Sequence, residues 1–277
     1  MDIVVNCMNL SKNGKRLIKL YKDMAKNGFD RTDGTRVESK NAYNSFQLKK
    51  FKHVVLPSFK KLKIKTVLDY GGGGSNWDEL NFDPQTGMSA KEFLQLRQVK
   101  TFEPARDLNE KEKSDCVVCI DVMEHIFLAD VSNVIRELFS LAEKLVVINV
   151  ACYPAAALLP NGENAHITVR NPDWWSGVLT AISKDFPEIE TVLICSETFV
   201  SGKIYQNFKS ADWDNSKTFT IKDNYIRFGE TSVPRNLTIE EVCAAVDQMT
   251  KRHPKTGTLL LNLLKKNIPF MNQNLFK

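Results

Sequence analysis

The chain has 277 residues, 43% of them apolar, and a formal charge of +5. That is enough to bury a sizeable core, and one α/β domain with additions is expected. No apolar run approaches the 18 residues of a membrane span, so no membrane association is expected. Met1-Asp2-Ile3-Val4 lacks the basic start of a signal peptide, and the six cysteines are scattered, so a cytoplasmic location is expected.

The charge is uneven. Residues 1–65 hold 16 Lys and Arg against 5 Asp and Glu, or +11, which leaves −6 for the rest. Two amphipathic helices are predicted to carry this excess. The first spans about Ser11–Lys26, with Leu17, Leu20, Tyr21 and Met24 on one face. The second spans about Glu38–Leu56, with Ala42, Phe46, Val54 and Val55 inward and Pro57 as its stop. A basic face of this kind either solvates a helix or meets a polyanion such as nucleic acid, an anionic glycan or a carrier.

The first strand is predicted at Ile64–Leu68, an apolar run that ends at Asp69 and breaks into Gly71-Gly72-Gly73-Gly74-Ser75. Glycines there let the backbone turn sharply and let a ligand approach it. A dinucleotide loop reads G-x-G-x-x-G, and here Asn76 takes the place of the third glycine. A Walker loop needs a lysine, and none follows. A carboxylate at Asp69 also repels a pyrophosphate. A cationic ligand without phosphate suits this edge better, and S-adenosylmethionine has such a centre.

Val99–Phe102 reads as a second strand, and Glu103 at its end is placed to accept both ribose hydroxyls. The 12 residues from Glu103 to Asp115 are too few for a crossover helix and another parallel strand, so the third strand of the usual order is expected to be missing or shortened. Asp115–Ile120 is the next apolar strand and ends at Asp121. Cys116 and Cys119 fall on opposite faces of that strand, so they do not form a metal knuckle; no metal is expected anywhere. Beyond it come a helix at about Ala129–Ala142, a strand at Leu145–Val150, a helix capped by Asn171 with Pro172 first, and a strand at Thr191–Cys195. Residues 197–235 are expected to form a strand pair or an excursion, and Thr238-Ile239-Glu240-Glu241 to open a C-terminal helix.

At this point the chain resembles the class I S-adenosylmethionine-dependent methyltransferases. Leu68-Asp69-Tyr70-Gly71-x-Gly73 is similar to their first motif, Phe102-Glu103-Pro104 to their ribose-binding acid, and Ile120-Asp121-Val122-Met123-Glu124-His125-Ile126 to the motif after their fourth strand. The runs Val150–Ala155, Leu159–Thr168 and Pro172–Trp175 resemble a bacterial and phage subgroup. The resemblance covers about Tyr21 to Leu179. It implies a Rossmann-like, doubly wound, mostly parallel sheet with an N-terminal helical extension. It also implies S-adenosylmethionine as cofactor, held by Asp69, Gly71, Gly72, Gly73, Glu103, Asp121 and Val122.

Three segments are expected: a basic helical cover at 1–60, the cofactor-binding core at 61–200, and strands and helices completing the same domain at 201–277. Methyl transfer needs donor and acceptor fixed at near-attack distance, with a base where the acceptor keeps its proton. Residues past the strand ends are the candidates. Glu124, His125, Tyr153, His166 and Trp174 are expected to line the acceptor pocket, with His166 and Asp121 as catalytic residues. No Pro-Pro-aromatic turn follows Asp121 and no Pro-Cys nucleophile is present, which disfavours a DNA base as acceptor. A small molecule or saccharide is expected instead, with RNA or protein as the alternative. A donor-binding scaffold, an NAD-dependent oxidoreductase and a non-catalytic nucleic-acid-binding module are the competing classes.

Overall fold

In the computed structural model, helix α1 (Lys12–Asn27) starts at Ser11, whose hydroxyl accepts from the Gly14 N–H, and ends at Gly28 with φ +76°. Leu17 and Met24 are buried along one stripe, as the helical period requires. The structure describes residues 10–43, 46–206, 216–222 and 225–228. The chain divides into units Met1–Glu230 and Thr231–Lys277, and every described residue belongs to the first. The helix expected from Thr238 and His253 beyond it lie outside the described residues.

After α1 comes a short hairpin, β1 (Phe29–Asp30) with β2 (Arg36–Val37). Helix α2 then runs Leu48–Lys61, a correction at both ends to the helix expected over 38–56. Its start is later because residues 36–43 are used otherwise: β2, a 3-10 turn at Ser39–Asn41, and Tyr43 at φ +58°, whose carbonyl accepts from the Gly74 N–H. Pro57 lies inside α2 rather than stopping it. A proline removes one N–H from the ladder. His53, four residues before it, and Pro57 are both exposed, so the interruption lies on the solvent side of the helix.

The remaining elements follow in chain order: β3 (Thr66–Tyr70), α3 (Ala90–Phe93), β4 (Gln98–Glu103), β5 (Leu108–Asn109), β6 (Ser114–Ile120), α4 (Val131–Leu141), β7 (Ala142–Ala151), α5 (Pro172–Ser183), β8 (Glu190–Thr198), β9 (Ser201–Gln206), β10 (Lys217–Lys222) and β11 (Tyr225–Phe228). Strands β3 to β11 form one mixed sheet in the order β11-β10-β9-β8-β7-β6-β3-β4-β5. The central five, β8-β7-β6-β3-β4, are parallel. Two-residue β5 lies antiparallel beside β4, where a third parallel strand was expected to be missing or short. Strands β9, β10 and β11 extend the other edge as an antiparallel meander, which accounts for the described part of the 197–235 region.

Strands buried on both faces read as nearly continuous apolar runs. Val117, Cys119, Val146, Ile148 and Leu193 face α4 and α5 in one core. Cys116, Val118, Leu145, Val147 and Ile194 face α2 in the other. The two cysteines of β6 therefore do lie on opposite faces, both as free, buried thiols. Each such aliphatic side chain contributes about 1.5–3 kcal/mol of burial energy. Of the expected N-terminal cover, only α1 covers the strand ends; α2 backs the opposite layer. No described helix is long and apolar enough to cross a membrane.

Candidate functional site

The C-terminal ends of β3, β4 and β6 open into one cavity of about 370 Å³. Asp69, Glu103 and Asp121, one acid from each strand end, line it together with Gly71, Gly72, Gly73 and Val122. All seven residues expected to hold a cofactor thus meet in one place.

Asp69 is buried on β3, and Oδ2 accepts from Trp77 Nε1 at 2.7 Å. Burial pushes its pKa up to about 7, against the opposing effect of the Trp77 bond. The glycine turn wraps this carboxyl closely: a Cβ on Gly72 would stand 2.4 Å from Asp69 Oδ2. Gly71 is at φ +78°, where a Cβ would also meet Val122 at 2.5 Å. From Gly71 to Ser89 the backbone is irregular, and the next helix begins only at Ala90. The turn therefore offers no helix N-terminus to receive a pyrophosphate.

Glu103 braces the turn from β4. Its Oε2 accepts from the Gly73 N–H at 2.9 Å and its Oε1 from the Ala105 N–H at 2.8 Å. Each oxygen retains a lone pair for a ligand hydroxyl. Burial raises the Glu103 pKa, and the two N–H bonds oppose that rise. Asp121 follows β6 at φ +61°, a conformation that non-glycine residues seldom adopt. Its own N–H donates to the Asn149 carbonyl on β7.

Helix α1 supplies the facing wall through Leu17, Ile18, Tyr21 and Met24. It is pinned at its start by Asp130, which accepts from the Ser11 N–H and hydroxyl, each at 2.7 Å. Arg31, just past β1, is the only Arg or Lys among the lining residues. The sequence reading took the α1 stripe as core and missed these residues. Tyr21 was the available signal, a hydroxyl amid an apolar stripe. It donates to the Ala165 carbonyl at 2.6 Å.

The expected acceptor residues divide. His125 and His166 line the cavity, with ring centroids 4.9 Å apart. His125 Nδ1 lies 2.9 Å from the Ala165 carbonyl and His166 Nδ1 2.5 Å from the Tyr153 carbonyl. Carbonyls only accept, so His166 Nδ1 carries the proton. His125 Nδ1 also lies 3.1 Å from the Tyr21 hydroxyl. Because that hydroxyl donates to the same Ala165 carbonyl, a protonated Nδ1 serves both partners, and Nε2 keeps its lone pair in each ring. Burial lowers both pKa values, that of His125 to about 4, and favours the neutral rings. Glu124, Tyr153 and Trp174 are not lining residues, which corrects three assignments. Glu124 points into the protein, where Oε1 accepts from the Ala151 N–H at 2.7 Å. Tyr153 meets His166 through its carbonyl and through its ring, the ring centroids 6.0 Å apart. Trp174 lies on α5 against Trp175, because the Asn171 cap fixes the first turn of that helix on the α4 side.

Chemically, the cavity sets four carboxyl groups (Asp69, Glu103, Asp121 and Asp130, the last bound to the start of α1), one guanidinium and two neutral imidazoles around an apolar wall. Comparison of the chain with protein-family models, with curated proteins and with solved structures finds no match.

Proposed function

We propose that the protein is a class I S-adenosylmethionine-dependent methyltransferase that acts on a small molecule or saccharide. The convergence of Asp69, Glu103 and Asp121 with the glycine turn on one cavity carries this reading. The sheet supports it. Numbering the parallel strands from β3, the order is that of a doubly wound Rossmann-like sheet, with β5 standing in the third place. The cavity then opens at the switch point between β3 and β6, where such sheets bind ligands.

The residues fit the cofactor by charge and shape. Its volume is in the range of small-molecule sites. The three strand-end acids with one arginine, beside Asp130, which is taken up by Ser11, suit a ligand that carries a sulfonium, an ammonium, one carboxylate and a ribose diol. When bound, S-adenosylmethionine supplies a methyl group activated for in-line displacement. Glu103 presents two acceptor lone pairs to the diol, and the braced Gly71–Gly73 turn holds the cofactor without a Cβ in its way. Asp69 faces the ammonium in this reading, and a cation there favours its ionised form. Helix α1 excludes water from the far wall, which strengthens each of these contacts.

Isothermal titration of the full chain with S-adenosylmethionine, S-adenosylhomocysteine and NAD tests the reading. Binding of the first two and not of NAD is expected. Failure of the folded protein to bind either of the first two overturns it. A search for tritiated-methyl acceptors in cell extract then identifies the substrate, and a methylated polymer in place of a small product would shift the acceptor class to RNA or protein.

A further inference from the structure

Glu124 is the one fully buried carboxylate of the site whose second oxygen is unexplained. Oε1 accepts from the Ala151 N–H, while Oε2 has no hydrogen-bond partner. A buried carboxylate oxygen without a donor is costly, and the carboxyl of Asp121 stands within hydrogen-bond reach of Glu124, so two ionised groups there repel while one shared proton would join them. An acceptor that faces an acceptor needs a proton or a cation between the two.

Two more electron pairs converge on the same point. One ligand atom each from Glu124, His125 and His166 lies within 4.8 Å of the others. The Nδ1–H of each histidine is spent on a backbone carbonyl, Ala165 for His125 and Tyr153 for His166, which leaves Nε2 as the nitrogen available to an ion. Metal-binding histidines are characteristically fixed in this way, through a carbonyl bond on the other ring nitrogen. The supports are rigid. The Glu124 carbonyl accepts from the Thr168 N–H, and Thr168 Oγ1 donates to the Ile126 carbonyl, so the His166 loop is tied to the turn that holds Glu124 and His125.

We propose that Glu124, His125 and His166 bind a first-row divalent cation at the wall of the cavity, with Asp121 beside it as a neutralising charge. Two imidazoles and a carboxylate are borderline donors, which suit manganese, iron(II), cobalt or zinc better than calcium. With bonds of about 2.1 Å the donors of a tetrahedral site sit about 3.4 Å apart, so modest side-chain rotation closes the cluster on the ion. Three protein ligands leave coordination positions open, and both histidines line the cavity. Joined to the methyl-transfer reading, on which this step alone rests, a cation there polarises an acceptor oxygen and eases loss of its proton. His166 then serves as a ligand rather than as a base.

The test uses the full chain stripped with chelator and no S-adenosylmethionine, so its outcome is separate from that of the cofactor titration. Loss of the free Mn2+ electron paramagnetic resonance signal should show one tight equivalent, and Co2+ should give visible bands of a nitrogen- and oxygen-ligated site. Glu124→Gln keeps the shape and the Ala151 contact, and should weaken Mn2+ binding at least tenfold; His166→Ala should do the same. Where a variant fails to fold, Mn2+ line-broadening in the wild-type protein decides: the ring protons of His125 and His166 should broaden before those of His53 on α2. Absence of binding by the folded wild-type chain overturns the proposal. So does unchanged Mn2+ affinity in folded Glu124→Gln, or a raised melting temperature in that variant without any metal effect, the signature of a proton shared with Asp121.

Discussion

Asp69 is a carboxyl group that folding protonates. Its pKa near 7 lies above the value of about 3.9 in the unfolded chain. Between those values the native state binds the extra proton, so this group's contribution to stability is full below about pH 4 and is lost as pH rises to about 7. Urea unfolding of the cofactor-free protein at pH 5, 6, 7 and 8 should show a decline on the order of 1–4 kcal/mol from this source. Asp69→Asn, which preserves an acceptor for Trp77, should flatten the decline. Glu103 acts in the same direction, because its pKa is raised as well. Gly72 adds a steric prediction at this scale. Gly72→Ala drives a Cβ into the Asp69 carboxyl and toward Thr101 Cγ2, 3.1 Å away. Overpacking of that kind costs about 1–3 kcal/mol, and titration should show at least a tenfold loss of S-adenosylmethionine affinity. Gly177→Ala is the control: a Cβ there meets nothing within 4 Å, and stability should rise by about 0.5–1 kcal/mol.

Among the elements, α1 connects local sequence most directly to the site. Ser11 both caps the helix and ties it to Asp130. Gly14 sits so close that an added Cβ would come 2.2 Å from Asp130 Oδ2. Ser11→Ala should cost about 1–2 kcal/mol, and Gly14→Ala should push the helix off its anchor. Both variants should speed limited proteolysis within α1 and raise the dissociation rate of bound cofactor, while the melting of the sheet changes little. Equal proteolysis in wild type and Gly14→Ala would remove α1 as the wall that retains the ligand. Helix α2 shows the reverse case of a feature lost in composition. Lys52 looks like one more solvated lysine, yet it is buried and paired with Asp83 at 2.7 Å. It fastens the irregular segment after the glycine turn to the back of the sheet. Lys52→Ala leaves the Asp83 carboxylate with its Thr86 bonds only and should cost about 1–3 kcal/mol in a denaturant melt.

For the whole molecule, the +11 of residues 1–65 is partly spent inside. Lys52 pairs with Asp83, Lys61 with Glu190, Arg16 with Glu163, and Lys22 with Asp107. Lys12, Lys15, Lys19 and Lys26 on α1 remain exposed. Donor binding, which takes place within the cavity, should change less than about twofold between 50 and 300 mM salt. A polyanionic acceptor would instead show a steep salt dependence of turnover, and measurement of both quantities on one preparation separates the two acceptor classes.

Local physics made much of this legible in the chain itself. Apolar runs that stop at Asp69 and Asp121 mark buried parallel strands, because strands covered on both faces cannot alternate, while Val99–Phe102 before Glu103 marks the less buried strand beside them. Ser11, Asn171 and Pro172 mark helix starts, because caps act within one turn. The 12-residue step from Glu103 to Asp115 restricts what fits beside β4. Other features depend on residues far apart in sequence, and only the tertiary structure decided them. Tyr21 meets Ala165 across α1 and the loop after β7. Glu124 turns inward to Ala151 instead of toward an acceptor, and His125 and His166 come together from segments 41 residues apart. Pro57 stays within a helix because it falls on the solvent side, while Phe51, Val54, Val55 and Phe59 bury the other. A sequence pattern reports burial and backbone geometry over a few residues, whereas convergence of donors and charges is set by how the layers close on one another.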